Sequence, residues 1–349
     1  MSKTVLITGG AGFIGRHLAR ALLEQGRQVR VLDSLIEQVH PKRERPSELD
    51  AEVELVTGDV RDDAAVLRAL SGVDQVVHLA AEVGVGQSMY AVDRYTSVND
   101  YGTAVLFQQL IDNPVERVVV ASSMSIYGEG LYRTVEGALA EDATRVGRNR
   151  DGSWDPLDDQ GRPLIPVPTP ETKPNALKSV YAIGKFVQER LTLTLTQQYG
   201  MQGAALRLWN VYGPGQAPMI FEDGRQRRDF VHVRDIARAF MLALENPAAD
   251  GQVFNIASGQ DRTIEEVARL QAASMGRSDL EPEITGKSRA GDIRHCIPDL
   301  TKAHERLGYA ATEDFGEGLA ELAQWVARQE SEDRVVEARK ELEMRGLVA

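Results

Sequence analysis

The chain has 349 residues, 42% hydrophobic and 26% charged, a balance typical of a soluble globular protein, and its length predicts a large domain with a smaller lobe. A formal net charge of −12 argues against nucleic acid as a partner, because binding a phosphate backbone requires a basic surface. The single cysteine, Cys296, excludes an intrachain disulfide and fits a reducing compartment. Since the sequence has no signal-like or transmembrane-length apolar run, we expect a cytoplasmic protein with no membrane partner.

Short runs rich in Val and Ile alternate with amphipathic segments between residues 3 and 113. The runs TVLIT, QVRVLD, VELVTGD, DQVVHLA and ERVVVASS are typical of strands buried on both faces. Between the first two, Ile14, Leu18 and Leu22 lie at helical spacing, and Gly26 suits a left-handed helix cap. This alternation predicts an α/β fold with a doubly wound parallel sheet.

A glycine-rich segment, TGGAGFIG, follows the first predicted strand and opens the first predicted helix. Its spacing suits a tight turn, a close approach of backbone to a pyrophosphate, and close packing of helix on strand. The helix N-terminus would supply unpaired N–H groups to the phosphates. A purely structural glycine turn is the alternative. The residues predicted to bind a dinucleotide here are Gly9, Gly12, Phe13, Ile14 and Gly15.

Asp33 ends the second predicted strand, 18 residues after Gly15. A carboxylate at this position would accept hydrogen bonds from the adenosine ribose and would repel a 2′-phosphate. The sequence therefore predicts NAD, rather than NADP, as the cofactor.

Four hydroxyl side chains lie in ASSMSIYG, residues 121–128, which includes the end of the fifth predicted strand. They could serve a turn, because serine readily bonds its own backbone. They could also form one wall of an active site, because open α/β sheets bind ligands at the carboxyl ends of their strands.

The segment 128–176 is polar, rich in Gly, Pro and Asp, and too long for an ordinary connection. It contains no Cys or His, which excludes a metal ribbon, and we predict no bound metal. We expect a surface insertion near the mouth of the active site, with a lid as one possible role.

A helix predicted over residues 179–199 places Tyr181 and Lys185 four residues apart on one face. A nearby ammonium stabilises phenolate over phenol, so Lys185 would lower the pKa of Tyr181 and let it act as a general acid and base. Such a pair is common on helix surfaces, but here it accompanies a dinucleotide loop.

The remaining sequence predicts a mixed second half. Its predicted elements are the strand GAALRLWN, a basic hairpin-like piece DGRQRRDFVHV, a helix over 233–245, the strand QVFNIAS, a helix from Thr263, a helix over 317–330 and a charged tail. We predict a dinucleotide-binding domain over 1–208, a substrate lobe over 209–330 and a C-terminal tail over 331–349.

Ordered motifs along essentially the whole chain resemble the extended short-chain dehydrogenases/reductases, specifically the NAD-dependent sugar-nucleotide epimerase/dehydratase group. The motifs are TGGAGFIG, the acid that ends the second strand, GDVRD, HLAA, NDYGT, SSMSIYG, YAIGK, RLWNVYGPGQ, RRDFVHVRD and RAGDIRH. The resemblance implies a Rossmann-type fold with a smaller C-terminal α/β substrate-binding lobe, NAD as cofactor, and a nucleotide-diphosphate sugar as partner.

The same resemblance implies roles for individual residues. Along the cofactor it implies Asp59 and Val60 near the adenine, then Leu79, Ala80 and Ala81, with Asn99 beside the pocket or, alternatively, a buried helix-start residue. Ser123 would complete a Ser–Tyr–Lys triad with Tyr181 and Lys185, which also contact the cofactor. For the substrate it implies Asn210, Arg228, Arg289 and Asp292 at the nucleotide diphosphate and its ribose, and we predict that Ser125 touches the sugar.

An acidic protein can bind an anionic diphosphate if arginine side chains converge on it, because each arginine can form paired charge-assisted hydrogen bonds. Within the run GRQRR we predict this role for Arg228 only, and we expect Arg225 and Arg227 to be solvated. In ASSMSIYG we expect Ser122 and Tyr127 to be structural.

Two residues after the triad serine distinguish reactions within the family. The resemblance implies that 4,6-dehydratases carry an Asp-Glu pair where this chain has Met124 and Ser125. A thioether has no transferable proton and serine is a poor base, so we predict a 4-epimerase that oxidises C4 and returns hydride to the opposite face. The motifs look most like those of dTDP-L-rhamnose 4-epimerase-type and UDP-glucose 4-epimerase-type proteins. The resemblance implies that Cys296 aligns with a position that controls pocket width in the UDP-galactose 4-epimerases; a buried small hydrophobe is the alternative.

One departure from the family pattern lies between Gln216 and Ala217, where a loop and helix that cover the nucleotide would be expected. Other nucleotide-sugar oxidoreductases of the family, such as a 4-keto reductase or a dehydratase, and a non-catalytic NAD-binding regulatory protein, are therefore the alternatives. The family pairs subunits through two long helices each, which implies a homodimer through the 99–110 helix and the Tyr181 helix.

Overall fold

The structure is a computed structural model that describes residues 2–144, 149, 152–213, 224–282, 284, 292–328 and 344–345. The strands are β1 Thr4–Thr8, β2 Gln28–Asp33, β3 Glu54–Thr57, β4 Gln75–His78, β5 Arg117–Ser123, β6 Leu131–Arg133, β7 Leu139–Ala140, β8 Ile165–Thr169, β9 Gln202–Leu208, β10 Asn210–Tyr212, β11 Arg227–His232, β12 Gln252–Ile256, β13 Asp261–Thr263 and β14 Ile297–Pro298.

The helices are α1 Phe13–Glu24, α2 Asp63–Leu70, α3 Val85–Ser88, α4 Val92–Tyr95, α5 Gly102–Asp112, α6 Val180–Gln198, α7 Val233–Glu245, α8 Ile264–Ser274 and α9 Phe315–Val326. A π-helical turn, Thr96–Tyr101, leads into α5, and a second one spans Ala303–Leu307. Short 3₁₀ turns lie at Met124–Tyr127 and Pro247–Ala249. Within the described residues, no helix is both long and apolar enough to cross a membrane.

A seven-stranded parallel sheet in the order β12-β9-β5-β4-β1-β2-β3 forms the centre of the described chain. All five runs predicted as strands are present in it, and every residue of β4 and β5 is buried. On one face α1 packs against α7, and on the other α2, α5 and α6 pack together. The predicted α/β class and doubly wound parallel sheet are confirmed.

The central sheet takes its edge strand, β12, from beyond residue 208, where we drew the boundary of the dinucleotide domain. Helix α7 also lies beyond that boundary and packs on α1. The central sheet and the helices packed on it therefore extend past the predicted boundary at residue 208, because the chain returns to the sheet after β11.

The basic piece predicted as hairpin-like is not a hairpin. Its residues 227–232 form β11, which pairs in parallel with β10 and antiparallel with β13. Both partners are distant in sequence, and β11 is the middle strand of a three-stranded sheet in the order β10-β11-β13, in which Asp229, Val231 and His232 are buried.

The segment 128–176 is not the surface insertion that its composition predicts. Strands β6, β7 and β8 form a four-stranded sheet with β14 from the C-terminal part of the chain. Leu131, Tyr132, Trp154 and Leu164 are buried, so the described part of the segment does not lie wholly on the surface. The prolines of β8 hid the strand pattern from the sequence, because proline is uncommon inside sheets.

Candidate functional site

A cavity of about 780 Å³ opens at the carboxyl ends of β1, β2, β4 and β5. Most residues predicted for the cofactor and the triad line it. They are Gly9, Gly12, Phe13, Ile14, Gly15, Asp33, Asp59, Val60, Leu79, Ala80, Ala81, Ser123, Tyr181 and Lys185. The carboxyl edge of the parallel sheet thus brings together residues as far apart in sequence as Gly9 and Lys185, which are 176 positions apart.

The glycine loop leaves no room for side chains at two of its positions. Gly9 has a φ of +69°, and a Cβ there would lie 2.8 Å from the Cα of Ala80. A Cβ on Gly15 would lie 2.4 Å from the Cα of Gly10. Gly12 faces more open space, with only the Gly9 carbonyl oxygen nearby, at 3.2 Å. The loop is therefore a backbone cradle at the N-terminus of α1, which fits a pyrophosphate.

Asp33 reaches the glycine loop from the end of β2. Its Oδ2 accepts a hydrogen bond from the Ala11 N–H at 3.0 Å, and its Oδ1 accepts one from the Leu35 N–H at 2.9 Å. Each carboxylate oxygen has more than one lone pair, so Asp33 can still accept from a ribose in the cavity. The cradle and this acceptor together fit NAD.

The far wall of the cofactor region contains Asp59, whose carboxylate pairs with Arg61 at 2.6 Å. The hydrogen bond from Arg61 lowers the pKa of Asp59.

Asn99 does not line the cavity, in contrast to the predicted cofactor contact. It is fully buried, and its amide bridges the backbone N–H and carbonyl of Glu82 at 2.7 and 3.1 Å. Both polar atoms of its side chain bond the backbone of the cavity loop at Glu82, so Asn99 stabilises that loop rather than contacting the cofactor.

The three predicted catalytic residues meet at the end of β5. Ser123 lines the cavity together with Tyr181, and its Oγ accepts from the Ser125 N–H at 3.2 Å. Tyr181 and Lys185 lie in the first two turns of α6, whose N-terminus is capped by Ser179. The predicted Ser–Tyr–Lys grouping is therefore present as a geometric cluster in the cavity wall.

The expected effect of Lys185 on Tyr181 is not found. Burial raises the pKa of Tyr181, and the hydrogen bond with Ser123 opposes that rise only in part. Burial also lowers the pKa of Lys185 to about 7. The Lys185 ammonium donates instead to the Ala121 carbonyl and to Gln188 Oε1, both at 2.9 Å, so it does not lower the phenol pKa in this structure.

Gln188 begins a buried polar chain that no sequence pattern indicated. Its amide nitrogen lies 3.0 Å from Thr103 Oγ1, 3.1 Å from the Ala80 carbonyl oxygen and 3.1 Å from His78 Nε2. His78 Nδ1 lies 2.7 Å from Thr8 Oγ1. Burial, with the charge of Lys185, lowers the pKa of His78 to about 3, so this histidine is neutral. A polar residue three positions after Lys185 is the one sequence feature that could have indicated this chain. It was not sufficient, because the partners of Gln188 lie far from it in sequence.

Two substrate candidates flank the triad. The Ser125 hydroxyl is buried and has no hydrogen-bond partner among the described residues. Asn210 donates to the Asp229 carbonyl at 2.8 Å and lies 3.7 Å from the sulfur of the buried Met124. The Ser125 hydroxyl thus has unused hydrogen-bonding capacity, although it does not line the cavity, whereas the amide nitrogen of Asn210 already has a backbone partner.

The Arg228 guanidinium is held by backbone carbonyls. It donates to the carbonyls of Arg227 at 3.0 Å and Arg294 at 2.8 Å, and also to that of Ile293. In the described part of the chain it has no carboxylate partner. Asp292 immediately precedes this segment, while Arg289 and the predicted departure at residues 216–217 lie outside the described residues.

Ser122 and Tyr127, which we expected to be structural, and Cys296 all have structural surroundings. Ser122 donates to Glu189 at 2.7 Å, and Tyr127 donates to Asn255 at 2.7 Å. Cys296 is fully buried in the hydrophobic core, where burial raises its pKa to about 12. Its environment matches the alternative of a small buried hydrophobe.

Comparisons with known proteins identify the family of the chain. The sequence matches the model of the NAD dependent epimerase/dehydratase family over residues 5–151 and 156–221, and that of GDP-mannose 4,6 dehydratase over 215–322. It is 32% identical to a dTDP-L-rhamnose 4-epimerase of Burkholderia thailandensis, with 94% of this chain and 96% of that protein covered.

Solved structures share the fold over nearly the whole chain. The UDP-glucose 4-epimerase of Thermotoga maritima with UDP-glucose has a TM-score of 0.75 at 29% identity, covering 93% of this chain and 99% of that one. MoeE5 in complex with UDP-glucose and NAD has a TM-score of 0.74 at 30% identity, covering 94% and 100%. The predicted family, the NAD cofactor and the prediction of an enzyme are confirmed. The chain belongs to the NAD-dependent epimerase/dehydratase family.

Proposed function

We propose that this enzyme is a nucleotide-sugar 4-epimerase that acts on dTDP-L-rhamnose or a related dTDP- or UDP-hexose. The observation that carries the proposal is the grouping of Ser123, Tyr181 and Lys185 in the wall of the NAD cavity, with Met124 as the residue after Ser123. The similarity to a dTDP-L-rhamnose 4-epimerase over 94% of this chain supports the choice of sugar.

Tyr181 is the group that exchanges a proton with the 4-hydroxyl. When bound, NAD supplies reversible hydride acceptance from C4. Tyr181 takes the hydroxyl proton, and Ser123 orients the sugar oxygen. Lys185, one helical turn away, donates to the Ala121 carbonyl and Gln188 in this structure, so its proposed stabilisation of the phenolate requires the ammonium to turn toward Tyr181. After the ketone has turned over, the hydride returns to the opposite face of C4 and Tyr181 returns the proton to the oxygen, which completes inversion at C4.

A dehydratase is the second candidate, and the match to the GDP-mannose 4,6 dehydratase model over residues 215–322 supports it. Dehydration across C5 and C6 requires a second acid and base beside the triad. Met124 offers no transferable proton, and the Ser125 hydroxyl has no partner among the described residues that could activate it. The epimerase is therefore the better-supported reaction.

The nucleotide side of the proposal assigns Arg228 to the diphosphate, with Asn210 and Asp292 at the ribose and Ser125 at the sugar. Arg228 is half-buried with donors directed by three carbonyls, a setting that suits a bidentate contact with an anion. Arg289 keeps its predicted role in this scheme.

We also propose a homodimer through α6 and the region before α5. Tyr101, 58% exposed, and Ile183, 44% exposed, are apolar side chains on these two elements. Exposed apolar side chains on neighbouring helices favour a protein partner. Sedimentation that gave a monomer at micromolar concentration would reject the dimer. The cytoplasmic location stays a prediction.

The function is tested by incubating the protein and NAD with a panel of dTDP-, UDP- and GDP-sugars and reading product configuration by proton NMR. We expect inversion at C4 in at least one dTDP- or UDP-hexose. Transient NADH absorbance distinguishes a catalyst from a non-catalytic binding protein. Conversion of no sugar nucleotide would reject the proposal, and a 4-keto-6-deoxy product would establish the dehydratase.

A further inference from the structure

The segment 128–176 is joined to residues 293–298 along its length. Strand β8 pairs with β14 through Pro168 and Thr169, and the Gly130 N–H donates to the His295 carbonyl at 2.8 Å. A Cβ on Gly130 would lie 2.8 Å from that same carbonyl oxygen and 2.9 Å from the Cα of Cys296. The two segments are therefore in direct backbone contact.

Two carboxylates of the segment hold residues 294 and 295. Asp155 Oδ1 accepts from Arg294 Nε at 2.7 Å and lies 3.2 Å from His295 Nε2. Glu129 accepts from the N–H groups of Arg294 at 2.6 Å and His295 at 3.3 Å, and from the Tyr132 hydroxyl at 2.7 Å. Hydrogen bonds from His295 and Arg294 hold the pKa of Asp155 well below its ordinary value. Asp155 is therefore charged at neutral pH.

The opposite side of the same short segment holds Arg228. The carbonyls of Ile293 and Arg294 accept from its guanidinium, and the Arg227 N–H donates to His295 Nδ1 at 3.1 Å. Residues 293–295 thus lie between the carboxylates of the 128–176 segment and β11. Any shift of these residues moves the carbonyls that orient Arg228.

We propose that Asp155 is a positioning residue for nucleoside diphosphate binding: through Arg294 it fixes the carbonyls that aim the Arg228 guanidinium. The inference rests on the proposed role of Arg228 and gives the 128–176 segment a function in substrate binding. Bidentate contacts of arginine with phosphate depend on the orientation of its planar donors, so positioning of this kind affects affinity. The Arg294 side chain is 3% exposed, so loss of the carboxylate leaves a buried cation without this partner.

The same segment offers a matched control. Glu136 pairs with Arg162 at 2.8 Å on the exposed side of the segment, and its side chain is 60% exposed. Glu136→Gln removes one carboxylate charge, as Asp155→Asn does, but it touches neither residues 293–295 nor β11 in the described structure. Exposed ion pairs contribute little to stability, so this variant keeps the fold.

The test measures binding of UDP and dTDP to the NAD-loaded protein by calorimetry. We expect D155N to weaken nucleoside diphosphate binding about tenfold, because one partner of a buried charge pair is lost. E136Q should stay within about twofold of the wild type. R228M should weaken binding at least as much as D155N, and the double variant should bind about as R228M does, because the two residues act in series.

Four outcomes overturn the proposal. One is D155N affinity within twofold of the wild type, and another is a fully additive double variant. A third outcome uses E129Q, which removes the other carboxylate that holds residues 294 and 295. If D155N and E129Q both lose as much NAD affinity as nucleoside diphosphate affinity, the two carboxylates have a general structural role. Wild-type protein that binds no nucleoside diphosphate also rejects it, together with the role of Arg228. Wild-type protein that binds UDP or dTDP but converts no sugar nucleotide rejects only the proposed function, and the binding data then decide the positioning role.

Discussion

The two halves of the proposed site are built in different ways: the cofactor half is the cavity, and the substrate half is the region around Arg228, which does not line the cavity. The cofactor half consists of backbone at the strand ends: the glycine loop against Ala80, and Asp33 bonded to Ala11 and Leu35. The substrate half consists of side chains held by distant segments, as when carbonyls at 293–294 hold Arg228 and Asp155 holds Arg294. Local motifs therefore determine the first half, and tertiary packing determines the second.

The cofactor half therefore suits the chemistry that the family shares, and the substrate half suits selection of the substrate. A backbone cradle depends little on side-chain identity beyond its glycines, so it suits an invariant cofactor. Side-chain contacts set by long-range packing can change without loss of the fold, so they suit a variable substrate. Variants can test whether the two halves act independently.

The largest effect is expected at the boundary between the halves. Tyr181→Phe removes the proposed acid and base, and we expect turnover to fall by about a thousandfold. Affinities for NAD and for UDP or dTDP should stay near the wild-type values, because the aromatic ring still packs in place. Steady-state rates and calorimetry measure both, and a variant with full activity would refute the mechanism.

A glycine variant should affect the cofactor half alone. Gly9→Ala places a Cβ 2.8 Å from the backbone of Ala80 at a φ of +69°, and we expect NAD affinity to fall roughly a hundredfold. Gly26→Ala is the control, because Gly26 has a φ of +72° but no atom within 4 Å of the added Cβ. Equal NAD affinities in the two variants would contradict the proposed cradle.

Gln188 connects the catalytic cluster to the cofactor loop, and its substitution tests the protonation of Lys185. Gln188→Leu removes one acceptor of the ammonium, so the Lys185 pKa should fall below about 7. If the ammonium supports catalysis, the loss of activity with rising pH moves to lower pH by roughly one unit. Gln188→Glu should move that loss to higher pH, because a carboxylate stabilises the ammonium. The pH–rate profiles of both variants measure the shifts, and identical profiles would show that Gln188 has only a packing role.

The smallest effect is expected in the substrate half. Ser125→Ala removes a buried hydroxyl without a partner among the described residues, so the free energy of unfolding should not fall. If the hydroxyl binds the sugar, KM should rise about fivefold while NAD affinity stays constant. Thermal unfolding and kinetics separate the two effects, and an unchanged KM would remove Ser125 from the substrate site.

The sequence predicted the parts of the molecule that local patterns encode. The Val- and Ile-rich runs are the strands of the central sheet, and TGGAGFIG forms the loop of the cavity. The sequence did not predict β6 to β8, because prolines and glycines mask their pattern, or the partners of β11, which lie far along the chain. Asp155 and Arg294 are 139 residues apart, and no spacing rule connects them.

The chemistry of the triad illustrates the same limit. The positions of Tyr181 and Lys185 followed from their spacing on a helix, but the direction of the Tyr181 pKa did not. It depends on burial and on the partners of the ammonium, Ala121 and Gln188, which only the folded chain brings together.

The most direct test of the proposed epimerase uses a nucleotide hexose with deuterium at C4, incubated with the enzyme and NAD. Hydride that leaves C4 and returns to the opposite face carries the label with it. We predict a C4-inverted product that retains deuterium at C4, read by proton NMR and mass spectrometry. Loss of the label to solvent during inversion, or no inversion in any dTDP- or UDP-hexose, would contradict the account.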